Sequence, residues 1–165
     1  MEEKLKQTDS NCIKVVLFGP ESTGKTTLAK QIARYYNSVW VPEYAREYLQ
    51  KKWNNERKTC EQSDLLPIAV GQMEIENRSA KKTDSVLVCD TDLLETKVYS
   101  EEYYDGDCNP HLNKYAIENN YDLYLLTYID TPWVADDLRD RPEERLEMFN
   151  SCLLYTSDAA DEASS

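Results

Sequence analysis

The sequence contains no run of about 18 apolar residues, the length from which a membrane-spanning helix is read. Its opening stretch, Met1 to Asn11, is charged and polar and lacks an apolar signal core. There is one histidine, His111, and no two of the five cysteines form a C-x-x-C pair. A structural zinc site or a disulfide framework is therefore not expected, and reduced thiols in a cytoplasmic protein are the natural reading. Basic residues are scarce: 19 Lys and Arg stand against 31 Asp and Glu, for a net charge of −12. An acidic surface repels a phosphate backbone and an anionic bilayer, so neither nucleic acid nor membrane is expected as a partner. Internal repeats are absent, and so is an N-K-x-D guanine-reading run, which argues against a GTPase switch.

The 165 residues suffice for one compact domain, and 41% hydrophobic content suits a packed core. Lys14 to Phe18 is a short β-branched run ending at Gly19 and predicts a buried strand. Residues 26–37 place Leu28, Ile32 and Tyr35 or Tyr36 at helical spacing. Val39 to Val41 predicts a second strand closed by Pro42, and Glu43 to Trp53 a helix. Leu65 to Lys82 predicts another helix, Ser85 to Cys89 a third strand, Leu93 to Tyr104 and Leu112 to Asn119 two helices, and Asp122 to Tyr128 a fourth strand. Pro132 to Asn150 predicts a charged loop leading into a helix. Strands alternating with helices imply an α/β fold, a three-layer, doubly wound and mostly parallel sheet. Residues 1–11 are expected to be a flexible lead-in. Most of the 12 tyrosines read as half-buried packing residues, and His111 as a capping or surface residue.

Gly19-Pro20-Glu21-Ser22-Thr23-Gly24-Lys25-Thr26, followed by Thr27, fits G-x-x-x-x-G-K-[ST] without a mismatch. The spacing lets the backbone curl round a phosphate, with Gly24 allowing close approach. Lys25 would reach the β- and γ-phosphates and Thr26 would supply a hydroxyl to Mg²⁺, while the next helix offers its positive end. ATP with Mg²⁺ is the expected ligand pair, and a P-loop NTPase of nucleoside- or nucleotide-kinase type the expected fold.

Ligands bind outside the carboxyl ends of strands in open α/β sheets. Asp90 closes the third strand and is expected to hold the metal's water shell. Asp92, two residues on, reads either as a substrate contact or base, or as the N-cap of the helix from Leu93. Glu43, after the second strand, is a candidate acceptor of a hydroxyl proton, and Arg46, one turn later, a clamp on substrate or phosphate. Both also suit an ordinary helix surface. Arg139 and Arg141 follow the fourth strand and are candidates for a mobile lid that neutralises developing charge, with Arg145 weighted below them. Interleaved acids make a solvated, salt-bridged helix the competing reading. Trp133 would stack on a base or anchor the loop.

Together GPESTGKTTLA, VPEYAREYL, CDTDLLETKVY and YLLTYIDTPWVADDLR resemble the NadR-like P-loop kinases of the AAA-type ATPase family, over roughly Ile13 to Asn150. The resemblance implies a ribosylnicotinamide kinase domain, a substrate-side acid at Glu43, and Mg²⁺ and hydroxyl contacts at Asp90 and Asp92. The implied reaction is γ-phosphate transfer from ATP to the 5′-hydroxyl of ribosylnicotinamide. A kinase of another nucleoside or nucleotide shares every ATP contact, and a nucleotide-dependent binding module is a third reading. Only about a dozen residues precede the first strand, so no adenylyltransferase or DNA-binding activity is expected here. Relatives often carry Asp-Gly before the lid arginine, where this chain has Asp136-Asp137-Leu138-Arg139. Cys152 to Glu162 breaks the style of what precedes it and resembles a translated sequencing adapter. The expected layout is a kinase domain over 12–151, lacking a further strand and helix, with 152–165 a non-native tail.

Overall fold

The computed structural model describes residues 2–139 and 141–164, with side chains as far as residue 156. Asp140, and the side chains of the tail acids Asp158, Asp161 and Glu162, lie outside those described.

Four strands form among the described residues: β1 (Ile13–Phe18), β2 (Val39–Val41), β3 (Val86–Asp90) and β4 (Leu123–Leu126). They make one parallel sheet in the order β2-β3-β1-β4, with Leu17 opposite both Asp90 and Leu125. The helices are α1 (Lys25–Tyr35), α2 (Tyr44–Glu56), α3 (Leu65–Ala80), α4 (Leu93–Tyr103), α5 (Pro110–Glu118) and α6 (Arg145–Ser164). Period-two alternation sends Leu17 and Val88 to one face, where they meet Ala29 and Ala33 of α1. Val16, Phe18, Leu87 and Cys89 go to the other, where Ala80, Leu94, Val98 and Cys152 of α3, α4 and α6 cover them. The result is the expected three-layer α/β architecture. The neighbouring strands β1 and β3 send their chains to opposite layers, α1 and α4, and open a crevice at their carboxyl ends.

Capping chemistry sets the helix starts. Asn109 accepts from the backbone N–H of His111 and Leu112, with Pro110 as the first helical residue, so α5 begins two residues before the apolar pattern does. The His111 side chain is exposed.

The amino-terminal segment corrects the expectation of a flexible lead-in. Glu2–Leu5 forms a 3-10 turn, and Leu5 is fully buried against Met73, Leu93 and Leu112. Gln7 N–H donates to Asn119 Oδ1 at 3.2 Å and Thr8 N–H to Asn77 Oδ1 at 3.0 Å. One leucine and two distant asparagines hold a segment whose composition reads as loose. At the other end, the segment expected to stand outside the domain continues α6: Cys152 is fully buried, and Tyr155 packs against the same core. No helix among the described residues is long and apolar enough to cross a membrane.

Candidate active site

The crevice holds a cavity of about 370 Å³. One wall is the whole run from Gly19 to Thr27, joining β1 to α1. Gly19 has φ +144°, and a Cβ there would stand 2.5 Å from Thr127 Oγ1 and 2.9 Å from the Thr127 carbonyl oxygen. Only glycine fits that approach. Gly24 has φ +83° and begins α1 without a side-chain cap, so the first-turn N–H groups keep their capacity for an anion. Lys25 is buried and donates to the carbonyls of Gly19 at 2.8 Å and Pro20 at 2.5 Å. Thr23 Oγ1 lies 2.6 Å from Thr127 Oγ1, tying the loop to the end of β4.

Asp90 sits beneath this wall rather than on it. Its Oδ2 accepts from Thr26 Oγ1 at 2.5 Å, while its Oδ1 is buried without a hydrogen-bond partner. Burial pushes its carboxyl up, against the pull of the Thr26 hydroxyl and the Lys25 charge. A buried, half-satisfied carboxylate beside a threonine hydroxyl suits a hard cation, which takes oxygen donors. No group of three or more His, Cys, Asp or Glu among the described residues could hold a metal ion alone. Mg²⁺ keeps waters and phosphate oxygens and takes only one or two protein groups, so Asp90 and Thr26 would suffice to hold it.

Asp92 goes elsewhere. Thr91 has φ +71°, a left-handed conformation that β-branched residues rarely adopt, and its N–H donates to the Leu17 carbonyl at 3.0 Å. That turn breaks the alternation that would keep Asp90 and Asp92 on one face. Asp92 is buried on the opposite side, accepting from Tyr124 OH at 2.6 Å and from Glu95 N–H at 3.2 Å. The geometry is that of a helix N-cap, and Asp92 does not line the cavity. Of the two expectations for this position, the helix N-cap forms and the substrate contact does not.

Glu43, Arg46, Arg139 and Arg141 all line the cavity. Glu43 starts α2 without a capping hydrogen bond. Burial pushes its carboxyl up, Lys25 pulls it back and Asp90 raises it further. Arg46 Nη2 pairs with Asp136 Oδ2 at 2.8 Å, and Asp136 Oδ1 accepts the N–H of Leu138 and Arg139 at 2.9 Å each. The acid pair at 136–137 thus turns the segment and ties it to α2, where Gln50 also reaches Asp137. Arg139 bonds the Val134 carbonyl at 2.9 Å, and Arg141 lies 3.8 Å over the Tyr103 ring. Trp133 is not part of the wall; Arg145 lies 5.8 Å over its ring, which makes it a loop anchor.

Arg145, weighted lowest of the lid candidates, belongs to the wall, and two further groups of it escaped the motif reading. Arg145 donates to the carbonyls of Ser22 at 3.2 Å and Thr131 at 3.0 Å. Tyr99 and Tyr103 stack at 4.0 Å, and their spacing of four along one helix was a usable signal. Glu95, carried on α4, accepts from Gly19 N–H at 2.8 Å and lies 3.9 Å from Lys25 Nζ. Burial pushes its carboxyl up to about 8, against Lys25 and with Glu43 adding to the rise.

A family model described as an AAA domain matches residues 14–159. The trifunctional NAD biosynthesis/regulator protein NadR of Salmonella typhimurium is 32% identical over 125 residues, covering 76% of this chain and 30% of that protein. A crystal structure of NadR protein in complex with NR superposes with a TM-score of 0.74 at 26% identity, over 89% of this chain and 43% of the other. A second, of NadR protein in complex with NAD and AMP-PNP, gives 0.70 at 24% identity, over 90% of this chain and 42% of the other, a likeness of fold. The chain therefore spans less than half the length of each.

Proposed function

Because the chain belongs to the AAA-domain family and has the P-loop fold of its NadR relatives, we propose that it transfers the γ-phosphate of ATP to the 5′-hydroxyl of ribosylnicotinamide. The observation that carries this is the meeting of the Gly19–Thr27 loop with Glu43 and Arg46 in one cavity, above a carboxylate with an unused buried oxygen. Support for the acceptor comes from the NadR relatives and from the neighbour solved with NR.

In this proposal the amides of the loop and Lys25 hold the β- and γ-phosphates. Thr26 and, through water, Asp90 would hold Mg²⁺, which when bound supplies charge neutralisation at the phosphates. Arg46 orients the acceptor. Its hydroxyl oxygen forms a bond to the γ-phosphorus as the bond to the bridging oxygen of ADP breaks, and the hydroxyl proton passes to Glu43. Asp92 has both oxygens engaged on the far side, which supports Glu43 over Asp92 as the base. A carboxylate raised by burial is a better proton acceptor once ionised. Arg139 and Arg141 offset the charge on the transferring group, and the apolar side of the cavity, Leu65, Ile68 and Tyr99, excludes water.

The test is ADP release measured against a panel of ribosides. Ribosylnicotinamide should give the largest acceptor-dependent rate, and Lys25→Ala should weaken ATP binding about a hundredfold in a folded sample. Intact ATP binding with no acceptor-dependent ADP release would leave a binding module instead of a kinase.

A further inference from the structure

Glu95 is a half-buried carboxylate of the cavity wall for which the proposed chemistry has no use. Its sequence setting, Asp92-Leu93-Leu94-Glu95, has the spacing of a capping box, in which the fourth residue returns to the N–H of the first. Half of the box forms: Asp92 accepts Glu95 N–H. The other half is diverted. The Glu95 carboxylate leaves its own helix and takes Gly19 N–H at 2.8 Å, across 76 residues of sequence. It also faces Lys25 Nζ at 3.9 Å, with only 15% of the side chain exposed.

The bond lies where the phosphate loop leaves β1. On one side of Gly19 stands Thr127 of the chain after β4, so close that a Cβ would collide with it. Thr127 N–H donates to the Phe18 carbonyl at 2.8 Å. On the other side stands Glu95. The loop therefore starts between two clamps, one of backbone and hydroxyl, the other a carboxylate. Lys25 returns to the same place, bonding the carbonyls of Gly19 and Pro20. A carboxylate that meets both the first amide and the lysine can fix the path of the loop and the line of the lysine along it.

We propose that Glu95 is a positioning residue for the phosphate loop: from α4 it anchors Gly19 and aligns Lys25, and so sets the affinity for the nucleotide without taking part in proton transfer. The inference rests on reading Gly19–Thr27 as the phosphate site, and it names a role the motif itself does not contain.

The experiment is equilibrium binding of ATP, with and without Mg²⁺, to the parent chain and to Glu95→Ala, Glu95→Gln and Lys25→Ala, alongside thermal melts and steady-state rates with ATP varied. Glu95→Ala should weaken ATP binding about tenfold and raise KM for ATP by a similar factor, with kcat within about threefold. Glu95→Gln keeps an oxygen for Gly19 N–H and should stay within about threefold of the parent in both. ATP binding by Glu95→Ala equal to the parent's overturns the proposal. So does a Glu95→Gln chain that binds ATP normally and loses turnover, since the carboxylate would then be handling a proton. Undiminished binding by Lys25→Ala strikes the reading of the loop itself, a separate failure. Should Glu95→Ala not fold, Glu95→Asp decides, because its shorter arm cannot span to Gly19: weakened binding there with Gln intact sustains the anchor, and intact binding in both removes it.

Discussion

The two faces of the sheet bury carboxylates to the same depth and use them differently. On the α1 face, Asp90 is 1% exposed, gives one oxygen to Thr26 and leaves the other without a partner. On the α3/α4 face, Asp92 and Glu76 are 1% and 0% exposed and closed into a network. Glu76 receives Tyr121 OH at 2.6 Å and Gln7 Nε2 at 3.3 Å, with Lys14 Nζ at 3.6 Å. Asp92 receives Tyr124 OH and Glu95 N–H. Burial alone does not separate a structural acid from a functional one. What differs between the faces is unspent hydrogen-bonding capacity, and a buried polar atom without a partner is costly.

The closed face should give the largest effect on stability. Glu76→Ala leaves the Lys14 ammonium, 6% exposed, without its counter-charge, and Tyr121 without its acceptor. Breaking such a pair costs about 3–5 kcal/mol. Urea unfolding should register that loss, while the folded fraction binds ATP as the parent does. A loss below about 1 kcal/mol would mean the network is not closed, and the contrast between faces would fail.

A sharper form of the contrast sets the two aspartates against each other. Asp90→Asn should lose about 10–100-fold in Mg²⁺-dependent turnover, with unchanged or higher stability, since it removes a buried charge. Asp92→Ala should lose about 1–2 kcal/mol of stability through the helix cap, with ATP affinity within about threefold. A magnesium titration and a denaturant melt on both variants distinguish the outcomes, and an exchange of the two phenotypes would reverse the assignment.

What the sequence makes legible follows the range of the interactions. β1, the Gly19–Thr27 loop and α1 come from contiguous residues, and the place of Asp90 at a strand's end from a β-branched run; the expected strands and helices form with boundaries shifted by a few residues. The facing of Asp92 depends on Thr91, whose left-handed conformation is held by the Leu17 carbonyl on another strand. Glu95 reads locally as half of a capping box, and its partner lies in a different loop. Arg145 has the lowest weight of the three arginines on sequence, yet it reaches Ser22 and Thr131. Leu5, alone in a polar segment, has no period to announce its burial. Each miss is a side chain or turn whose partner is remote, which local spacing does not encode.

The last test is a pH dependence in which both faces take part. Burial pushes the Asp92 carboxyl up to about 7, against the bonds from Tyr124 and Glu95, and that of Glu95 up to about 8. Both stand above their unfolded values of 3.8 and 4.5, so between those limits the folded chain binds more protons than the unfolded one. Stability should then fall as pH rises from about 5 to 8, by at most about 1.4 kcal/mol per unit for each group. Asp64 and Asp136 act in the opposite sense. Burial works against them, but Lys52 and Arg46 hold them below their usual range, so their contribution is lost only at pH below about 4. Asp92→Asn keeps an oxygen and an amide for the same partners and should make the decline shallower below pH 7, leaving the contribution of Glu95, which runs through the whole range up to about 8. Urea melts at pH 5, 6, 7 and 8 on both chains measure this. A parent stability that climbs across the range, or a slope untouched by Asp92→Asn, would show that the closed face spends its charge elsewhere.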